Sequence, residues 1–223
     1  MSALARVREP VANEPATVHV IDDDESPREA LALLFPSVGL EVRTYASVQE
    51  FIDAAAHDGP GCIVLDVRLP GISGLDFQSR RTGLGIHLPI ILMTGHGDVP
   101  MSVRAMKAGA VDFLPKPFRD QDMIDAVTTA IKRDRERRAA ENATAGIRDR
   151  YANLSPREQQ VMTLVTVGKM NKQVAFDLGL SEITVKSYRG ATMHKMGART
   201  FADLVRMADA LALHSSHGGE GAC

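Results

Sequence analysis

Cysteine is nearly missing from this chain, with two in 223 residues. Cys62 opens an apolar run and Cys223 is the last residue, so no disulfide framework is expected and a reducing compartment fits. Long hydrophobic runs are missing as well. None approaches the ~20 apolar residues of a membrane span, so no membrane partner is expected. Met1 to Pro15 has no apolar stretch of signal-peptide length, and a cytoplasmic location is the expectation. Charge of one sign is also lacking: the net value of −2 excludes a chain-wide field for nucleic acid but leaves room for a local basic patch. No internal repeat is visible. What is present, 44% hydrophobic and 24% charged residues, is ordinary for a globular protein. The length suffices for one large domain or two modest ones.

From Thr17 to about Arg133 the pattern alternates strand and helix five times. Short apolar runs bounded by turn signals predict strands at Val18–Ile21, Glu41–Tyr45, Cys62–Val67, Ile90–Thr94 and Val111–Leu114. Helical spacing occupies Pro27–Phe35, Val48–Ala56, Ser73–Arg81 and Met101–Ala108. Arg119–Arg133 adds a fifth helix with Asp120 and Asp122 in its first turn. Strands separated by helices imply an α/β doubly wound sheet of five parallel strands.

In such a sheet, ligands gather beyond the carboxyl ends of the strands. The first run ends in Asp22-Asp23-Asp24-Glu25, the third in Asp66 and the fourth in Thr94, while Pro115-Lys116-Pro117 follows the fifth. Singly these mean little, because an Asp trio before a helix is usually N-terminal charge and a Lys-Pro is usually a loop. Together, at separate strand ends, they describe a cation and phosphoryl site. A hard cation such as Mg²⁺ takes oxygen ligands and keeps several waters, and carboxylates held close together call for one. Asp66 would be a carboxylate nucleophile toward phosphorus, with Thr94 and Lys116 stabilising the phosphoryl oxygens.

Residues 17 to about 135 resemble a response-regulator receiver domain of bacterial two-component systems. The resemblance rests on Val20-Ile21-Asp22-Asp23-Asp24-Glu25-Ser26, Leu65-Asp66-Val67-Arg68-Leu69-Pro70-Gly71, Met93-Thr94-Gly95-His96-Gly97-Asp98 and Phe113-Leu114-Pro115-Lys116-Pro117-Phe118. Gly95–Asp98 with Val99-Pro100-Met101-Ser102 looks especially like the FixJ-like branch. The resemblance implies a flavodoxin-like fold in which Asp66 takes a phosphoryl group from a sensor histidine kinase. It implies Mg²⁺ held by Asp22, Asp23, Asp66 and the backbone carbonyl of Arg68, with Asp23 a direct ligand. Thr94 and Lys116 would sense the phosphoryl group, Phe113 would be an aromatic switch, and Lys116–Pro117 is a candidate cis bond.

Beyond Arg133 the composition shifts. Lys132-Arg133-Asp134-Arg135-Glu136-Arg137-Arg138 reads as a solvated helix end leading into a linker. After it, Pro156–Thr166, Lys172–Leu178, Glu182–Met196 and Thr200–Leu213 read as helices. Ser155, Pro156 and Glu158 form a capping box, Ser181 is a second cap, and Gly179 closes the helix before it. Two helices joined by Gly179-Leu180-Ser181 make a helix-turn-helix. Val185, Tyr188, Thr192 and Met196 fall on one face of the second helix, and Lys186, Ser187, Gly190 and His194 on the opposite side, with Arg189 at the border.

Leu154-Ser155-Pro156-Arg157-Glu158, Asn171-Lys172-Gln173-Val174-Ala175 and Ser181-Glu182-Ile183-Thr184-Val185-Lys186 resemble the LuxR-type DNA-binding domain. That implies a small all-α unit of four helices that dimerises on double-stranded promoter DNA. Lys186, Ser187 and Arg189 are the candidates for the groove, with Thr184 and Lys172 nearer the DNA backbone. Tyr188, Gly190, Ala191 and Thr192 depart from the family pattern.

The expected organisation is an N-terminal arm at 1–15, a receiver at 16–135, a linker at 136–152, a DNA-binding domain at 153–214 and a tail at 215–223. The expected function is a phosphorylation-activated transcription regulator that forms a homodimer on activation, with RNA polymerase as a further partner. A phosphohydrolase with an aspartyl-phosphate intermediate is the enzymatic rival. Against it, Arg68 occupies the position two residues beyond Asp66 where a second acid would be needed, and no substrate-binding cap is evident. Slow self-dephosphorylation is the most catalysis expected.

Overall fold

The computed structural model describes residues 15–54, 59–95 and 99–213. The expected C-terminal tail, all but the last residue of the expected N-terminal arm, and His96–Asp98 lie outside the described residues. The chain divides into two compact units, Met1–Ala139 and Ala140–Cys223.

In the first unit the strands are β1 (Thr17–Ile21), β2 (Glu41–Tyr45), β3 (Gly61–Asp66), β4 (Ile90–Thr94) and β5 (Asp112–Pro115). They form one parallel sheet in the order β2-β1-β3-β4-β5. The helices are α1 (Glu25–Ser37), α2 (Val48–Asp53), α3 (Gly74–Arg80), α4 (Val99–Lys107) and α5 (Asp120–Ala152). Side chains alternate across the strands, so both faces need cover. Val18, Val20, Cys62, Val64, Ile91 and Met93 meet Leu31 and Phe35 of α1 and Met123, Val127 and Ile131 of α5. Ile21, Ile63, Leu65, Ile90 and Leu92 meet Phe51 of α2, Phe77 of α3 and Ala105 of α4. The doubly wound sheet expected from the strand–helix alternation is therefore present, with strand limits moved by one residue at most.

The helix starts follow side-chain capping. Asp24 accepts from Ser26 N at 3.1 Å ahead of α1, Ser47 accepts from Glu50 N at 3.2 Å ahead of α2, and Ser73 accepts from Leu75 N at 3.2 Å ahead of α3. The acidic run after β1 thus has divided duties. Asp24 and Glu25 serve the helix end, as the simpler reading of an Asp trio has it, and Asp22 does not.

The largest departure from expectation is α5, for which the sequence pattern predicts an end at Arg133 ahead of a linker over 136–152. The helix instead runs on to Ala152. Nothing between 134 and 152 breaks it: there is no proline, a single Gly146, and an abundance of alanine and arginine, both strong helix formers. Nor is the mixed-charge run wholly solvated. Asp134 is 1% exposed. Its carboxylate accepts from the Gly61 backbone N–H at 3.1 Å and pairs with Arg137 at 2.5 Å and Arg138 at 2.7 Å, tying α5 to the start of β3. Gly61 suits that position, since a Cβ there would lie 2.2 Å from the Thr17 carbonyl oxygen.

The second unit takes the last turns of α5 with α6 (Pro156–Thr166), α7 (Asn171–Leu178), α8 (Glu182–Met196) and α9 (Phe201–Ala210). Its core holds Leu154, Val161, Met162, Val165, Val174, Val185, Met196 and Leu204, with Ile147 and Tyr151 of α5 packed against it. The capping box forms as expected: Ser155 accepts from Glu158 N at 3.3 Å, and the Glu158 carboxylate accepts from Ser155 N at 2.7 Å. Gly179 closes α7 at φ 64°, and Ser181 caps α8.

Candidate phosphoryl site and DNA-binding surface

Three strand ends and one following loop place the acidic site. Asp22 follows β1 and is 1% exposed, Asp66 ends β3 at 5%, and Thr94 ends β4 at 0%. Lys116 follows β5, and its backbone N–H donates to the Thr94 carbonyl at 2.7 Å. Its ammonium reaches back between the acids, with Nζ 2.6 Å from Asp22 Oδ2 and 2.8 Å from Asp66 Oδ1. Lys116 thus reaches Asp22, 94 positions earlier in sequence, and the two acids share one cation at the carboxyl edge of the sheet.

Each carboxylate is also held from behind. Asp22 Oδ1 accepts from Asp24 N at 3.0 Å, and Asp66 Oδ2 accepts from Arg68 N at 2.6 Å. Arg28 of α1 donates to the Asp22 carbonyl at 2.6 Å. Gly74, at the start of α3, donates its N–H to the Val67 carbonyl at 3.0 Å. A Cβ on Gly74 would lie 2.4 Å from the Asp66 carbonyl oxygen, so only glycine lets α3 close against the Asp66 segment. Sequence reasoning passed over both Arg28 and Gly74, whose partners are contacts that spacing does not reveal.

The electrostatics follow from burial. Desolvation pushes the Asp22 carboxyl above the ordinary aspartate range, and Lys116 offsets only part of that. Burial alone would lower the Lys116 ammonium, but its hydrogen bonds with Asp22 and Asp66 prevail and hold it above the usual lysine value. Two carboxylates and one ammonium leave the cluster one negative charge in excess. Asp23, beside them in sequence, has an exposed side chain, as does Arg68. Among the described residues no three His, Cys, Asp or Glu side chains stand close enough to hold a metal by themselves. Phe113 on β5 is half-buried against the core that covers the α2–α4 face. The Lys116–Pro117 bond is cis.

In the second unit, α7 and α8 meet through the Gly179-Leu180-Ser181 turn. Val185, Thr192 and Met196 are buried and Tyr188 is half-buried against the core, while Lys186, Ser187, Gly190 and His194 are exposed, as the helical spacing predicted. Lys172 on α7 is exposed too. The other two candidates are engaged within the chain. The Thr184 hydroxyl lies 2.8 Å from Ser181 Oγ at the start of α8, and the Arg189 guanidinium sits 4.2 Å from the centre of the Phe201 ring. Ile183, which sequence reasoning did not single out, is 83% exposed beside them.

The geometry agrees with what the chain is similar to. Residues 18–128 match the family model of the response regulator receiver domain, and residues 152–208 match that of the bacterial regulatory proteins of the luxR family. Nodulation protein W of Bradyrhizobium diazoefficiens is 56% identical over 206 residues, covering 92% of this chain and 91% of that protein. The chain belongs to the FixJ-like response regulators. The transcriptional regulatory protein FixJ of Azorhizobium caulinodans is 48% identical over 195 residues, covering 87% of this regulator and 92% of that protein. Among solved structures, response regulator StyR superposes with a TM-score of 0.77 at 43% identity, over 88% of this chain and 99% of that one. Full-length FixJ from B. japonicum gives 0.54 at 39% identity, over 90% and 99%. The regulator is thus a DNA-binding transcription regulator of a two-component system. Among its described residues no helix is long and apolar enough to cross a membrane.

Proposed function

We propose that the regulator is switched by phosphorylation of Asp66, and that the switch governs dimerisation and promoter binding. The observation that carries this reading is the Lys116 ammonium shared between Asp22 and Asp66 at 2.6 and 2.8 Å. It shows two buried carboxylates already converging on one positive charge. A carboxylate oxygen of Asp66 attacks phosphorus of a phosphohistidine on a sensor kinase. The new O–P bond forms as the N–P bond breaks, and the electron pair stays on the imidazole nitrogen. Lys116 then has a phosphoryl oxygen to hold, and Thr94, buried one strand over, lies on the side toward which the group must be drawn. Arg68 N–H keeps the Asp66 carboxylate oriented at 2.6 Å.

The oxygen-rich, net-negative cluster fits Mg²⁺. This ion is commonly bound through one or two carboxylates with phosphate oxygens and waters completing its octahedron, so three clustered acids are not required. Asp22, Asp66, Asp23 and the Arg68 carbonyl would hold it, and it would supply charge neutralisation for the transferring group.

The output runs through β5 and its neighbours. Phe113 lies in β5, between Thr94 and Lys116 in sequence, so movement at either reaches the face built from α4, β5 and the first half of α5. The working regions are 16–135 for reception and 153–214 for DNA. Lys172, Lys186 and Ser187 are exposed for DNA contact, and Thr184 and Arg189 flank them at the helix start and the stripe border. A symmetric dimer would favour an inverted repeat with half-sites about one helical turn apart. RNA polymerase is a further partner of a promoter-bound dimer, the cytoplasm is the setting, and slow self-dephosphorylation resets the switch. The Asp66→Asn variant tests this reading. Its oligomeric state and DNA affinity should not respond to acetyl phosphate while the parent's do; equal responses from both would refute it.

A further inference from the structure

Ile183 is in the first turn of α8 and is 83% exposed, although it is a large β-branched hydrophobe. Its position on the helix gives the exposure meaning. At about 100° per residue, Ile183, Ser187, Gly190 and His194 fall within roughly 60° of one another, and Lys186 flanks them. All five are exposed, while the opposite side carries the buried Val185, Thr192 and Met196. The outward stripe of α8 therefore begins with an apolar side chain and continues with polar or bare positions. At Gly190 a Cβ would meet nothing within 4 Å, so the stripe is open to whatever approaches it.

Resting on the reading of α8 as the helix that enters the major groove, we infer that Ile183 reads thymine by packing against its 5-methyl group. The first residues of a recognition helix are those that reach base edges. The thymine methyl is the one apolar feature that the major groove displays, and aliphatic side chains contact it without needing a hydrogen-bond partner. An isoleucine branch on that stripe supplies such a contact, while Lys186 and Ser187 supply donors alongside. Neither the core nor the helix cap explains the residue. The cap of α8 is made by Ser181 and Thr184, and the apolar core begins at Val185.

The test uses the full chain treated with acetyl phosphate and Mg²⁺, and duplex DNA selected from a random pool by the parent protein. In that duplex each thymine is replaced in turn by deoxyuridine, which lacks only the methyl group. The parent should lose about fourfold in affinity at one thymine per half-site, the factor that burying one methyl group supplies. Ile183→Ala should bind the thymine duplex correspondingly more weakly and lose nothing further on deoxyuridine, and Ile183→Val should restore part of the discrimination. A parent indifferent to every replacement would overturn the inference, as would an Ile183→Ala variant that keeps the full deoxyuridine penalty. A variant that binds every duplex like the parent but fails in transcription would also overturn it, moving Ile183 to a protein-contacting surface. The underlying reading of α8 fails separately, if Lys186→Ala leaves DNA affinity unchanged.

Discussion

Replacing Asp134 by alanine should unfasten the start of β3. The Asp134 carboxylate is 1% exposed and is the acceptor for the Gly61 backbone N–H at 3.1 Å. Without it that buried donor is left unsatisfied, which costs about 1–3 kcal/mol. Arg137 and Arg138 lose their shared counter-charge, but their side chains are 29% and 27% exposed, so water takes up part of the loss. Their loss is therefore nearer the about 1 kcal/mol of a partly solvated pair than the about 3–5 kcal/mol of a fully buried one. The sum is a destabilisation of about 2–4 kcal/mol confined to the first unit. Asp134→Asn retains an acceptor oxygen for Gly61 and should cost about 1 kcal/mol. Hydrogen exchange read by mass spectrometry on the full chain separates the two units, and amides of β1 and β3 in the alanine variant should exchange roughly 30- to 700-fold faster. An alanine variant within about 0.5 kcal/mol of the parent would refute the reasoning. Equal effects of asparagine and alanine would show that charge, not the Gly61 hydrogen bond, carries the contribution.

Gly74→Ala should push α3 away from the Asp66 carbonyl, lowering stability by about 1–3 kcal/mol and slowing phosphoryl uptake; unchanged melting and uptake would contradict the close approach. Glu158 is held below the ordinary glutamate range chiefly by the Lys195 ammonium, 2.8 Å away, with the Ser155 N–H adding to it. A depressed folded-state value means that its stabilisation is present above the unfolded-state value and is lost as pH falls through the folded-state one. The second unit should accordingly weaken in acid, and Glu158→Gln should flatten that limb of the pH–stability curve. Gly190→Ala should stabilise the second unit by about 1 kcal/mol, because the added Cβ has open space around it. Its melting temperature should rise by about 4–8 °C, and a decrease would mean that the glycine has a packing role.

The residues legible in sequence were those whose meaning lies in order along the chain. Asp22, Asp66, Thr94 and Lys116 each terminate or follow an apolar run, and a parallel sheet gathers strand ends, so their convergence followed from alternation alone. The caps at Ser155 and Ser181 and the stop at Gly179 were legible for a similar reason, since helix ends are local chemistry. Asp134 was not legible, because one buried acid looks the same as its solvated neighbours in Lys132–Arg138 until β3 lies beside it. The continuation of α5 through 136–152 is a matter of propensity: the charged, alanine-rich stretch reads as a linker by its composition, but with no proline to break it the helix runs on. Arg189 was assigned by its angle on the helix, and its contact with Phe201 of α9 is a tertiary event that spacing cannot report.

The most direct measurement is to incubate the full chain with acetyl phosphate and Mg²⁺, locate the added phosphoryl group by peptide mass spectrometry, and follow promoter affinity in the same sample. A single modification on Asp66, accompanied by dimerisation and tighter DNA binding, is the predicted result. Modification at another residue, or full occupancy of Asp66 with no change in DNA affinity, would contradict it.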